Sequence, residues 1–106
     1  MIKYLIKASY NAEGVKGLLK SGGTSRKKAI DKMVNDLGGK LEVFYYAFGH
    51  HDVYAICSLP DPATAAAIAL SINGSGLVVI STTILLDPED IDKAKDITVE
   101  YRSPGK

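Results

Sequence analysis

The sequence predicts an α+β fold of the ferredoxin-like type, a βαββαβ sandwich with an antiparallel four-stranded sheet. Two observations carry this prediction. Apolar residues recur with period two in some segments, which predicts strands, and with helical spacing in others, which predicts helices. Along the chain these segments come in the order strand, helix, strand, strand, helix and strand. Only the short segment 49–51 separates the two middle strands, which is typical of a β-hairpin.

The first part of the chain predicts one strand and two helices. Residues 2–10 alternate between apolar side chains and a face that carries Lys3 and Lys7. Asn11 can cap a short helix that follows this strand. Thr24 or Ser25 can cap a longer amphipathic helix, whose apolar residues recur at three- and four-residue spacing until a glycine pair at 38–39 ends it.

The second part of the chain predicts the hairpin, a helix and a fourth strand. Residues 40–48 and 52–59 form the two hairpin strands, and both are apolar on both faces. Asp61 is expected to cap an alanine-rich helix that has Pro62 at its first position. Residues 77–86 form the fourth strand, a short helix follows, and residues 98–106 form an edge strand or a frayed tail.

Length, charge and cysteine content restrict the class of protein. The 106 residues fit a single domain over residues 1–106. Lys and Arg total 13 against 12 Asp and Glu, so nothing indicates nucleic acid or a membrane surface as partner. Cys57 is the only cysteine, and no apolar run approaches the roughly 20 residues of a membrane span. Since Lys7 also interrupts the first apolar segment, we expect a soluble cytoplasmic protein.

Apolar residues on both sheet faces predict a homodimer. Helices can cover one face of the sheet, and the other face would expose a large apolar patch. A second copy that packs sheet to sheet, as a dimeric α+β barrel, would cover this patch, and a higher even-numbered oligomer is also compatible. We expect Tyr46 to lie at this interface.

The hairpin segment Gly49-His50-His51-Asp52 concentrates the groups that are able to do chemistry. His51 and Asp52 are the candidate catalytic residues, as an acid–base pair, and His50 and His51 are candidate metal ligands, since imidazole titrates near neutral pH and binds transition metals. The alternative is a polar turn in which Asp52 accepts backbone N–H groups. For His50 the turn is the favoured interpretation.

Aromatic residues form the second candidate site. Tyr10, Tyr46, Tyr54 and Phe48 are the predicted ligand-binding residues, because aromatic walls with a few hydroxyl groups are typical of small-molecule pockets. The alternative is ordinary packing in the core and the interface. The basic cluster at 26–28 is interpreted as a solvated helix face rather than an anion site, and the thiol of Cys57 as buried and inert.

Several segments spread over most of the chain match one known family. They are Asn11-Ala12-Glu13-Gly14, Leu37-Gly38-Gly39-Lys40, residues 44–49, Asp52-Val53-Tyr54-Ala55-Ile56, the alanine-rich residues 60–69 and Thr82-Thr83-Ile84-Leu85. On these segments the chain resembles the GYD domain proteins, a family of small bacterial proteins. The Gly-Tyr-Asp triplet that names the family corresponds to the segment 49–52, which lacks the tyrosine. The resemblance implies a dimeric α+β barrel and no particular activity.

Three functions are compatible with these observations. The leading hypothesis is a small homo-oligomeric protein that binds a small apolar or aromatic ligand at the sheet face. The second is a cofactor-free or metal-dependent enzyme that acts on a small molecule through His51 and Asp52. The third is a structural or regulatory oligomer that has no ligand.

Overall fold

The computed structural model describes all 106 residues of the chain. Its elements, in chain order, are β1 (Ile2–Tyr10), α1 (Ala12–Ser21), α2 (Gly23–Asp36), β2 (Lys40–Tyr46), β3 (Val53–Leu59), α3 (Pro62–Gly74), β4 (Val78–Leu85) and α4 (Pro88–Lys95). None of the helices combines the length and the apolar character that crossing a membrane requires.

The four strands form one antiparallel sheet in the order β2-β3-β1-β4. β1 lies in the centre, where it pairs with β3 on one side and with β4 on the other, and β2 pairs with β3 at the edge. The α+β class and the four-stranded antiparallel sheet are therefore confirmed. The strand order is compatible with the predicted ferredoxin-like fold.

One face of the sheet, the helix-covered face, carries the hydrophobic core. α2 lies over β2, and α3 lies over β4. The side chains that these helices bury against the sheet include Val34, Ala65 and Ile68. On the sheet, the buried residues of this face are Tyr4 and Ala8 of β1, Val53, Ala55, Cys57 and Leu59 of β3, and Val78 and Ile80 of β4.

The opposite face, here the open face, carries the residues that alternate with the core residues. They include Leu5, Lys7 and Ser9 of β1, Val43 and Tyr45 of β2, Tyr54 and Ile56 of β3, and Val79 and Ser81 of β4. Tyr45 is 69% exposed and Val79 is 65% exposed. The chain itself therefore leaves the apolar part of this face in contact with solvent.

A β-bulge changes which residues of β2 share a face. The register of β2 against β3 shifts between Leu41 and Val43, so that Glu42 is the extra residue. Leu41 therefore joins Tyr46 on the helix-covered face instead of sharing a face with Val43, as strict alternation predicts. The strand also ends at Tyr46 rather than at residue 48.

The position of Tyr46 corrects one expectation about the interface. Its hydroxyl donates a hydrogen bond to the carbonyl of Gly23, at the start of α2, over 3.0 Å. Tyr46 therefore lies under the helices, and its neighbour Tyr45 occupies the open face where a second copy would pack. The two aromatic residues are adjacent in sequence, so the side on which each lies depends on the register that the bulge sets.

The capping predictions hold for two helices. The side chain of Asn11 accepts the N–H of Gly14 over 2.9 Å at the start of α1. The side chain of Asp61 accepts the N–H of Thr64 over 2.8 Å at the start of α3. Each carboxamide or carboxylate thereby satisfies an N–H group that has no partner inside its helix.

The start of α2 differs from the prediction. Neither Thr24 nor Ser25 caps it, because the helix begins earlier, at Gly23, with Gly22 as its cap and without a side-chain hydrogen bond. Gly22 has φ 85°, in the left-handed region that glycine tolerates. This one residue therefore makes the sharp turn at which α1 ends and α2 begins. The prediction that Thr24 or Ser25 caps α2 is wrong.

Gly39 lets the chain that enters β2 lie close to both β3 and α2. A Cβ atom at this position would lie 2.5 Å from the carbonyl oxygen of Ser58 and 2.8 Å from the side chain of Leu59. It would also lie 3.1 Å from Val34 of α2. The absence of a side chain at residue 39 is thus part of the packing of the core.

Residues 86–106, here the C-terminal arm, extend from the end of β4. Every residue of the arm is exposed, and its exposed apolar residues are Leu86, Ile91, Ile97, Val99 and Tyr101. No strand forms in residues 98–106, which excludes the edge strand expected there. The radius of gyration of 17.0 Å exceeds the roughly 13 Å of a compact domain of this length, as expected for a chain with a projecting arm.

Candidate functional site

The carboxylate of Asp52 fastens the hairpin to the central strand. Its Oδ2 accepts the backbone N–H of Tyr10 over 2.8 Å. The N–H of Asp52 donates to the carbonyl of Ala8 over 2.8 Å, and its carbonyl accepts the N–H of Ala47 over 2.8 Å. Asp52 thus accepts a backbone N–H group, as the alternative to a catalytic role predicts, but that group belongs to β1 and not to the turn itself.

His51 lies on the side of the open face. Its Nδ1 is 3.2 Å from the hydroxyl oxygen of Ser9, and its ring stands edge-on to Tyr54 at 5.7 Å between centroids. Each of the three residues is half-buried. The structure therefore brings an imidazole, a hydroxyl and a phenol together at one end of the open face, next to the hairpin.

His50 and Asp52 are not part of this group. His50 is exposed at the hairpin tip, while the carboxylate of Asp52 is bound to Tyr10. His51 instead lies beside Ser9 and Tyr54. The structure brings together no group of three or more His, Cys, Asp or Glu side chains that could hold a metal ion.

The four predicted ligand-binding residues lie in three different places. Tyr10 and Tyr46 are on the helix-covered face, whereas Tyr54 is on the open face beside His51. Phe48 is in the hairpin loop and is 83% exposed. These side chains do not line a common pocket within one copy of the chain.

Tyr46 is held in a specific environment under α2. Besides its hydrogen bond to Gly23, its ring packs edge-on against Phe44 at 5.2 Å between centroids. Burial raises the pKa of the Tyr46 hydroxyl, and the neighbouring Tyr10 raises it further, while Arg26 partly opposes them. Tyr10, Tyr46 and Arg26 are therefore close neighbours at the start of α2.

A groove of about 420 Å³ opens between α1, α2 and α3. Its walls are formed by Tyr10, Glu13, Gly14, Gly17, Leu18, Ser21, Arg26, Ala29, Ile30, Met33, Ser71, Ile72, Ser75, Leu77 and Val78. A smaller space of about 50 Å³ lies beneath it, and 14 of its 15 lining residues are hydrophobic. The two spaces adjoin, because both are lined by Tyr10, Arg26, Ile30, Met33, Ile72 and Val78.

Arg26 is the residue of this groove that sequence analysis assigned to a solvated helix face. Lys27 and Lys28 are exposed as expected, but Arg26 is half-buried. A signal was present, since Arg26 precedes Ile30 and Met33 by four and seven residues and therefore lies on the apolar stripe of α2. Because three basic residues follow one another here, the different exposure of Arg26 was not predicted.

The surroundings of Cys57 make its thiol a poor nucleophile. The residue is 5% exposed in the middle of β3, and burial, followed by the charge of Glu42, raises the pKa of its thiol to about 11. A thiol is nucleophilic only as the thiolate. Cys57 is thus protonated at neutral pH, in agreement with the prediction of an inert core residue.

Comparison with known proteins identifies the family. The model of the GYD domain matches residues 4–94, which is most of the 106-residue chain. No curated protein and no solved structure matches the chain. The chain therefore belongs to the GYD domain family, and the resemblance inferred from its segments is confirmed.

Proposed function

We propose that this GYD domain protein is a homodimeric binding protein, which holds a small apolar or aromatic molecule between the open sheet faces of two copies. The observation that carries the proposal is the uncovered apolar area of the open face, with a polar group at one end. Exposed apolar patches of this kind mark protein or ligand contacts in soluble proteins.

The apolar area supports the dimer. Leu5 and Ile56 occupy the central strands, and Val43, Tyr45 and Val79 occupy the edge strands on either side. The three edge residues are 38%, 69% and 65% exposed. Packing against the same face of a second copy would remove all five side chains from water without any change in the fold of the chain.

The C-terminal arm supports the same assembly. Its apolar residues are exposed along its length, from Leu86 through Ile91 to Tyr101. An arm that leaves the end of β4 begins at the edge of the sheet, where a sheet-to-sheet partner would be within reach. We propose that the arm packs on the second copy.

The polar residues of the open face favour a hollow interior over a solid interface. Lys7 lies on the central strand, and it pairs in register with Tyr54 on one side and with Ser81 on the other. A buried ammonium group without hydrogen bonds is costly, so a dry interface is disfavoured at this point. A space that holds water or a polar group of a ligand would leave Lys7 solvated.

The group of Ser9, His51 and Tyr54 supplies the orienting contacts. The two ring nitrogens of His51 can donate and accept hydrogen bonds, in roles set by the tautomer, and the Tyr54 ring stands beside it. Since Asp52 is bound to the N–H of Tyr10, it is not the partner that would make His51 a general base. The site therefore favours binding over catalysis by the predicted pair.

The first experiment is native mass spectrometry of the tag-free protein together with analytical ultracentrifugation. A dimer, or a larger even-numbered assembly, is expected for the wild type. Tyr45→Glu places a charge at the interface and should give mainly monomer, whereas Tyr45→Phe should remain assembled. A monomeric wild type at submillimolar concentration would contradict the dimer.

The second experiment tests the ligand with indole as a neutral aromatic probe. In an NMR titration, indole should shift the backbone resonances of Ser9, His51 and Tyr54, and His51→Ala should weaken this binding. Shifts confined to the helices, or none at millimolar indole, would contradict a site at the open face. Conversion of a bound small molecule to a product would instead support the enzyme hypothesis.

A further inference from the structure

The groove between α1, α2 and α3 contains a cation that the fold itself does not use. Arg26 lines the groove and makes no salt bridge, since the four that form join Lys16 to Glu13, Lys32 to Asp36, Lys40 to Glu42 and Lys95 to Asp96. It is half-buried and stands among apolar residues of the core. A guanidinium group in such surroundings gains from an anionic partner.

We propose that this groove is a binding site for a small monocarboxylic acid with an apolar body, and that Arg26 binds its carboxylate. The groove lies on the helix-covered side of the sheet. It is therefore distinct from the site proposed on the open face, and either site can exist without the other.

The size and floor of the groove fit the apolar body. Its volume of about 420 Å³ lies within the roughly 300–1,000 Å³ of known small-molecule sites. The floor includes Ile30, Met33, Ile72 and Val78, which also line the apolar space beneath. An aliphatic chain or a ring that lies on these residues would extend core packing, while its charged end stays at Arg26.

The charges of the groove favour one negative charge over two. Arg26 presents a planar guanidinium that matches a carboxylate with two parallel hydrogen bonds. Glu13 stands on the α1 wall of the same groove, although it pairs with Lys16 over 3.3 Å. A phosphate dianion would bring a second negative charge toward Glu13 with no second arginine to balance it.

The α1 wall of the groove is held in place by contacts within the protein. The backbone N–H of Asn11 donates to the carbonyl of Leu77 over 3.0 Å, and a Cβ atom on Gly14 would collide with that same carbonyl oxygen. Gly14 thus lets α1 rest directly on the chain that enters β4. A preformed groove binds a ligand without the entropic cost of ordering its walls.

The test is a set of NMR titrations of the full chain with benzoate and hexanoate, each beside its neutral amide, benzamide or hexanamide. At least one acid should shift the resonances of Tyr10, Ile30, Ile72 and Leu77. That acid should bind roughly tenfold more tightly than its amide, because the amide cannot make the charge-assisted pair.

Arg26→Gln and Lys27→Gln form the matched pair of variants. Both remove one positive charge from the same turn of α2, but Lys27 is exposed and does not line the groove. Arg26→Gln should weaken binding of the acid roughly tenfold, and Lys27→Gln should change it less than about twofold. Arg26→Lys, which keeps the charge but loses the planar fork, should fall between them.

Three results would overturn the proposal. They are the absence of shifts with both acids, equal binding of an acid and its amide, and equal weakening by Arg26→Gln and Lys27→Gln. If Arg26→Gln does not fold, Arg26→Lys and the comparison of acid with amide decide the outcome on folded protein. Indole binding at the open face is unaffected in each case, so failure of this site is distinguishable from failure of the proposed function.

Discussion

The two faces of the sheet both carry apolar side chains, but the chain buries those of only one face fully. On the helix-covered face, Leu59 is 1% exposed and Ala55 is 4% exposed. On the open face, Tyr45 and Val79 remain 69% and 65% exposed. The open face also carries Lys7, Ser9 and Ser81, so the difference arises both from the side chains of each face and from the helices that cover only one of them.

This difference indicates which face stabilises the folded chain and which face is free for the proposed contacts. Burial of apolar area contributes roughly 25 cal/mol per Å², and within one copy the buried core residues all lie on the helix-covered side. The open face leaves the same contribution available to a second copy or a ligand. Substitutions on the two faces should therefore change different measurements, and the predictions that follow are arranged to test that division.

The largest effect is expected for Leu59→Ala on the helix-covered face. Leu59 is one of the two largest fully buried side chains of the chain, and its truncation leaves a cavity. The free energy of unfolding should fall by about 2–5 kcal/mol, as measured by urea denaturation. Val79→Ala on the open face is the control, with an expected change below about 1 kcal/mol. Equal losses at the two positions would remove the distinction between the faces.

The next effect concerns the close packing at Gly39. Gly39→Ala places a methyl group 2.5 Å from the carbonyl oxygen of Ser58, and the backbone must shift to accept it. We expect a loss of about 1–3 kcal/mol in the free energy of unfolding. Gly49→Ala is the matched control, because nothing lies within 4 Å of a Cβ atom there. If Gly39→Ala is as stable as Gly49→Ala, the close approach at residue 39 does not contribute to stability.

A smaller effect, of opposite sign for two tyrosines, is expected inside the helix-covered face. The hydroxyl of Tyr4 is buried and has no hydrogen-bond partner in the protein, whereas that of Tyr46 donates to Gly23. Tyr4→Phe should raise the free energy of unfolding by about 1 kcal/mol, and Tyr46→Phe should lower it by about 1 kcal/mol. Thermal and urea unfolding of both variants measure the difference, and the same sign for both would contradict this account.

A further effect, absent at neutral pH, is a pH dependence that arises from Cys57. Its thiol has a pKa raised from 9.0 to about 11, so the unfolded chain ionises first as the pH rises. The contribution of Cys57 to stability is therefore complete below pH 9.0 and is lost as the pH rises toward about 11. Wild type should lose stability relative to Cys57→Ala in this window, and parallel pH profiles of the two proteins would contradict the assignment.

Alkylation provides an independent measurement on the same thiol. At pH 8, iodoacetamide should modify native Cys57 at least roughly tenfold more slowly than the urea-unfolded chain, because the folded thiol is buried and protonated. In the Cys57→Ala background, Val79→Cys places a thiol on the open face and should react rapidly in dilute protein. If the reaction of the Val79→Cys thiol slows as the protein concentration rises, a dimer that covers the open face is supported.

The candidate site was predictable from the sequence only in part. A hairpin between β2 and β3 with two histidines and an aspartate at its turn follows from the sequence pattern, but the partner of the Asp52 carboxylate, Tyr10, is 42 residues distant in sequence. The partners of His51 do not follow from that pattern either, because Ser9 is 42 residues distant in sequence and reaches it only through the pairing of β1 with β3. The role of Arg26 was missed because a run of basic residues indicates a solvated surface, whichever of its members the helix turns inward.

The sequence by itself determined the order of the elements, the caps at Asn11 and Asp61, the inert Cys57 and the family. These features depend on local propensity, hydrogen bonds within a few residues and matching segments, all of which are contained in short stretches of chain. Tertiary structure alone decided the register of β2 against β3, which face the helices cover, the groove beside Arg26 and the projecting arm. Each of these depends on how distant segments meet, and a strand that is apolar on both sides does not encode which side will be buried.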